Sequence, residues 1–228
     1  MKQIFFGAFM LSAATAAAQE GNVYRMATAG LHVKTIDGGR HERTYYVLRF
    51  DAGKAGLCTY TLITEQQNAA LSNTLIYNDW QYFKYQKKHN RLSIAGLPPS
   101  CAAWATLQPG PHALTSVKNK NILFEQLTPP PAGFLPGNSY AAPIDTGHYL
   151  VLTFGKDTAE IAYMKNITSK NSQPESDESR KARRYRWTIY GTDVLIPEYG
   201  LFLTADFDTQ QLRLLYDSKY ITLTRRTR

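Results

Sequence analysis

Residues 147–167, "GHYLVLTFGKDTAEIAYMKNI", decide the fold class. Leu150, Leu152 and Phe154 fall on one face of an extended segment, "GKD" supplies a turn, and Ile161 and Tyr163 continue the apolar face on the return strand. This is the pattern of a β-hairpin. The same order of apolar strand, Phe, Gly/Asp turn and second strand returns at 43–64, "RTYYVLRFDAGKAGLCTYTLIT", where Tyr46, Leu48 and Phe50 face one side and Tyr45, Val47 and Arg49 the other. A looser version surrounds Phe207 in the segment 199–226. No fixed period links the three, so they read as recurring hairpin physics rather than as a sequence repeat.

Three other regions complete the layout. Residues 21–40 hold only brief apolar stretches broken by glycines and read as a loose strand or arm. In "TEQQNAALSNTLIYNDW" (64–80), Thr64 and Gln67 resemble a capping box, and Ala70, Leu71, Leu75 and Trp80 can share one face of a short helix. From Leu97 to Gly137 prolines recur in "GLPPS", "QPGP", "TPPPAG" and "LPG" and mark edges, turns and connections. Phe134 and Leu135 in the last of these need somewhere to pack, which favours a wrapping loop over a linker and leaves a boundary near residue 135 open. The expected architecture is mainly β: an antiparallel β-sandwich or related β-rich fold of ten or so strands with one short helix, as a single domain over 19–228.

The amino terminus has the layout of a secretory signal peptide over 1–18: Lys2, an apolar run from Ile4 to Leu11, then Ala16, Ala17 and Ala18 before Gln19. A membrane-spanning helix needs about 20 apolar residues, and no stretch supplies them. The expectation is an exported protein, periplasmic or secreted, without a transmembrane anchor. Its formal net charge of +8 suits encounters with acidic proteins, anionic glycans or anionic cell surfaces. Cys58 and Cys101 are the only cysteines, and in an oxidising compartment a lone pair suggests one disulfide bond. Closing a loop of about 44 residues would contribute roughly 4 kcal/mol.

The most unusual stretch is "SDESRKARRYRWTIYG" (176–191), which follows a segment with no large apolar residue. Residues 168–182 read as a mobile loop, since ordering them would bring no hydrophobic return. Arg180, Lys181, Arg183 and Arg184 then lead into a strand in which Tyr185, Trp187 and Ile189 share one face and Arg184, Arg186 and Thr188 the other. Such a stretch serves as a charged sheet edge, an anionic partner site or a processing site. Arg225, Arg226 and Arg228 would enlarge it if the last strand lay alongside. A second basic and aromatic group, Tyr82, Tyr85, Lys87 and Lys88, offers stacking area beside cations, a combination that also serves single-stranded nucleic acid. Export argues against a nucleic-acid partner.

Catalytic signatures are sparse. Five scattered histidines form no HExxH or other metal-ligand spacing, and neither phosphate-binding nor dinucleotide-binding glycine motifs occur. No cofactor is implied. The most enzyme-like group is "PIDTGHYL", in which Asp145 could orient His148 beside a hydroxyl. The leading expectation is a noncatalytic binding or assembly protein that recognises another protein or an anionic glycan surface, in envelope assembly or host contact. The alternative is a secreted or periplasmic hydrolase acting on glycans, which would need two carboxylates across a cleft. Sheet edges leave room for an oligomer.

Overall fold

A computed structural model of the chain describes residues 21–27, 32–36, 39–67, 70–165, 183–216 and 219–226. The expected leader over 1–18, the whole expected loop 168–182 with Arg180 and Lys181, and Arg228 lie outside these residues. The structure is predominantly β, and no helix among the described residues is long and apolar enough to cross a membrane. It divides into two compact units, one built from parts of 1–32 with 44–60 and 78–127, the other from 33–43, 61–77 and 128–228.

The first sheet comprises β1 (Val23–Met26), β2 (His32–Ile36), β3 (Arg40–Asp51), β4 (Lys54–Gln67), β5 (Ala70–Lys88), β6 (Arg91–Ile94), β7 (Thr106–Pro109), β8 (Ala113–Ser116) and β9 (Leu123–Gln126). From β3 to β9 each strand pairs with the next, and β1 pairs with both β9 and β3, so the meander closes on itself. The long strands β3, β4 and β5 contribute residues to both units. The second sheet comprises β10 (Ser139–Asp145), β11 (His148–Phe154), β12 (Thr158–Lys165), β13 (Arg183–Arg186), β14 (Thr188–Tyr190), β15 (Asp193–Ile196), β16 (Leu201–Asp206), β17 (Gln211–Tyr216) and β18 (Lys219–Arg225). Here β10 pairs with β18, while β13 and β14, joined by Trp187 alone, pair with β12 and β15. The segment 183–190 therefore closes the second meander. Antiparallel β structure takes the form of barrels, whose closure leaves few free strand edges.

Each barrel hides one face of its strands. Phe50, Leu48, Leu57, Trp104 and Phe124 centre the first core, and Tyr140, Leu152, Phe154, Leu203 and Leu212 the second. The hairpins around Phe50 and Phe154 carry the same contacts. The Gly21 N–H donates to the Phe50 carbonyl at 2.9 Å, as the Gly137 N–H does to Phe154 at 2.7 Å. Tyr24 meets Phe50 edge-on at 6.2 Å, and Tyr140 meets Phe154 edge-on at 5.9 Å. Tyr85 and Trp187 complete the two clusters at 5.2 and 5.7 Å, and fully buried Ala55 and Ala159 stand five residues beyond each Phe. The recurrence thus exceeds hairpin physics: Gly-Asn-x-Tyr (21–24 and 137–140) and Val-Leu-x-Phe (47–50 and 151–154) mark one plan built twice. Phe207 has a different role, packing edge-on against Phe134 at 4.9 Å. Phe134 and Leu135 are both buried in the second core, as a wrapping loop requires.

Two expectations are corrected. Residues 64–80 are strand, not helix: they belong to β4 and β5, and Leu71, Asn73, Leu75 and Tyr77 are more buried than the Ser72, Thr74 and Ile76 between them, a period of two. The Thr64 hydroxyl bonds to Asn73 Oδ1 at 2.9 Å across the two strands. Among the described residues the helical segments are instead short 3-10 turns at Pro99–Trp104 and Pro197–Tyr199. The disulfide is also absent: Cys58 and Cys101 are both buried thiols that are not joined to each other. Ala55 and Leu57 of β4 enter the core beside Cys101, so alternation sends Cys58 to the opposite face of the sheet.

Truncating either central ring, Phe50→Ala or Phe154→Ala, is expected to cost about 3–5 kcal/mol in urea unfolding; a loss under 1 kcal/mol would show that the cluster is not central. Both thiols should react with a thiol reagent only after denaturation, and a mass two units below that of the dithiol would contradict two unlinked thiols. Burial pushes the Tyr140 phenol up to about 12, and burial together with the Tyr199 hydroxyl raises that of Tyr163. The unfolded chain releases such protons near pH 10, which the folded chain still holds. Stability should therefore be full below about pH 10 and drop by about 1 kcal/mol per such group by pH 11. Equal denaturation midpoints at pH 9 and pH 11 would refute this.

Candidate functional site

The basic stretch is resolved into paired charges and core aromatics. Arg184 reaches Glu160 at 3.5 Å, and Arg186 reaches Glu198 at 2.9 Å while its backbone N–H donates to the same carboxylate. These bonds hold the Glu198 carboxyl below its ordinary range. Arg183 is exposed. Tyr185 and Trp187 turn inward, with Trp187 against Phe154 and its indole N–H on the Gly155 carbonyl at 3.4 Å. On β18, Arg225 bonds Gln210 and Asn138. Three strands, β10, β11 and β12, separate β18 from β13, so the two basic runs do not lie on neighbouring strands.

The second group is also divided by alternation. Tyr85 packs in the first core, whereas Tyr82 is exposed and Lys87 and Lys88 stand in solvent before the His89–Asn90 turn. Tyr82 belongs to an outer layer in which the Arg49 guanidinium lies 4.7 Å from the Trp80 ring and bonds both Asp51 and the Tyr82 hydroxyl. Gly56 makes room for this layer: a Cβ there would stand 3.0 Å from Trp80 and 3.2 Å from Tyr82. Rings laid over a strand glycine restore the packing that its missing side chain forfeits.

Asp145 and His148 do meet. Their side chains lie 2.5 Å apart across the Thr146–Gly147 turn, where Gly147 takes a φ of 91°. The pair clamps the end of the β10–β11 hairpin. Among the described residues, no three His, Cys, Asp or Glu side chains are placed to hold a metal ion.

The second unit also contains an open cleft of 760 Å³, within the usual range for small-molecule sites. One wall comes from the ends of the long strands: His41 and Arg43 of β3, Leu62 and Thr64 of β4, and Asn73 of β5. The other is the outward face of β16, β17 and β18, from which Phe202, Thr204, Arg213, Leu215 and Tyr220 project. Alternation sorts the charges at the β3 end. Arg40 bonds Glu42 at 2.7 Å and Glu65 at 3.1 Å, while His41 and Arg43, one residue out of phase, line the cleft. Among the described residues no acidic side chain lines it, and neither Arg43 nor Arg213 is within ion-pair distance of a carboxylate, although Arg213 helps to hold the Asp206 carboxyl below its ordinary range.

None of these lining residues was among the candidates read from the sequence. The usable signal was "RHER" (40–43), whose period-two register separates Arg40 and Glu42 from His41 and Arg43. Its partners, Arg213 and Tyr220, come from 170 or more residues further along, and only the fold brings them near. Comparison with known protein families, with curated proteins and with solved structures finds no match to this chain, so the chemistry of the site is read from its own residues.

Proposed function

We propose that this is an exported, noncatalytic binding protein and that the cleft of its second unit holds an anionic group of its partner, whether a protein or a glycan. The observation that carries this reading is the lining: His41, Arg43 and Arg213 from two walls, with no carboxylate among the described residues that line the cleft. Arginine donates in a planar fork that suits carboxylate, sulfate and phosphate oxygens, and two arginines on facing walls can engage one anion together. Thr64, Asn73 and Thr204 add neutral hydrogen-bonding groups that fix orientation. A glycan-cleaving site built on paired carboxylates would need acidic residues across the cleft, and the described residues of these walls provide none. The leader over 1–18 and the net charge of +8 support a place outside the cytoplasm among acidic partners.

The test is a thermal-shift screen of the mature chain against a panel of carboxylates, sulfates and phosphates, each beside a neutral analogue. A ligand at about 100 times its Kd stabilises by about 2.7 kcal/mol, or several degrees in Tm for a chain of this size. Such a shift is expected for anions with the parent and is expected to vanish in the double variant Arg43→Gln/Arg213→Gln. No shift with any anion, or an equal shift in the double variant, would remove the cleft from the mechanism.

A further inference from the structure

The floor of the cleft is divided along its strands, and the division specifies the ligand. In the β16–β17 register Leu203 stands opposite Leu214 and Thr204 opposite Arg213. In the β17–β18 register Arg213 stands opposite Thr222 and Leu215 opposite Tyr220. Two cross-strand rows follow on the outward face. Thr204, Arg213 and Thr222 form a polar row carrying the charge. One step along, Phe202, Leu215 and Tyr220 form an apolar row, in which Tyr220 is 75% exposed. Neighbouring rows on one face of an antiparallel sheet stand about 7 Å apart, so a ligand lying along the strands meets a cation at one end and an aromatic and aliphatic surface at the other.

We infer that the cleft takes an amphipathic organic anion, whose charged head sits on the Arg213 row and whose apolar body covers Phe202, Leu215 and Tyr220; a straight-chain carboxylate is the simplest member of this class. This rests on the reading of the cleft as an anion site. A polyanion whose charges repeat along its length would set an ionised group on the apolar row, desolvating it with no partner. An amphipathic anion leaves neither row unmatched. The apolar row also answers a question that the cations do not. Phe202 and Tyr220 project outward from strands whose core-facing side is already filled by Leu203, Leu212, Leu214 and Leu223, so they add nothing to the barrel core.

The experiment is isothermal titration of the mature chain with acetate, hexanoate, octanoate and decanoate, with octanamide as the uncharged comparison and a short uronic-acid oligosaccharide as the hydrophilic anion. Affinity is expected to rise up to about fourfold per added methylene from hexanoate to decanoate, and octanamide to bind at least tenfold more weakly than octanoate. Phe202→Ser and Tyr220→Ser should each flatten the chain-length dependence, and Arg213→Gln should weaken all the carboxylates by a similar factor. All three residues face outward, and unchanged thermal unfolding of the variants checks that the barrel is intact. Equal affinity from acetate to decanoate, or a preference for the oligosaccharide abolished by Arg213→Gln, would overturn the amphipathic ligand and leave the anion site standing. Absence of binding by every anion tested would overturn both.

Discussion

The pairing of first strand with last is the constraint on which the rest of the structure depends. An alternating strand has one apolar face to hide, and a meander left open would expose two edges besides. Pairing β1 with β9, and β10 with β18, removes edges and encloses the apolar face. The register of that closure is pinned at the same point in both barrels, where a glycine N–H meets a phenylalanine carbonyl and the tyrosine three residues on lies edge-on to the same phenylalanine. A one-residue slip there would turn Tyr24 or Tyr140 to the outside and carry its whole strand with it.

Once the inner faces are committed to the cores, chemistry is confined to the outer faces and the turns. This explains the fate of the basic and aromatic stretches. Their aromatic members at one parity, Tyr85, Tyr185 and Trp187, are consumed by packing, and several of the cations between them meet carboxylates of adjoining strands or turns. The cleft differs because alternation works the other way at its β3 end, where Arg40 takes up Glu42 and Glu65 and the residues of opposite parity are left to line the cavity. Charge pairing on one face of a ribbon is thus what leaves the other face electropositive.

Much of the strand content was legible in the sequence because period two is a local property. The faces assigned to Leu150, Leu152 and Phe154, and to Tyr185, Trp187 and Ile189, follow from counting along one segment. The segment 64–80 misled because Thr64–Gln67 fits a capping box and Leu71 and Leu75 are four apart, while the alternation through Leu71, Asn73, Leu75 and Tyr77 includes an asparagine that counts as polar in any hydropathy reading. Its amide is satisfied by Thr64 on the neighbouring strand, a partner invisible to a local rule. The cysteines show the same limit. Compartment and number argued for a bridge, but a bridge needs two Cβ vectors that converge, and strand parity turns Cys58 away from the core that holds Cys101.

By itself, then, the sequence determined the antiparallel β class, the turns, the apolar face of most strands and the chemical types available for binding, all of which depend on neighbours a few residues apart. Only the tertiary structure decided that the meanders close into barrels, that Phe50 and Phe154 head two versions of one plan, and that His41 and Arg43 share a cavity with Arg213 and Tyr220. The physical reason is the same in each case: strand pairing and register join residues far apart in the chain, and no local periodicity encodes which distant strand will supply the partner.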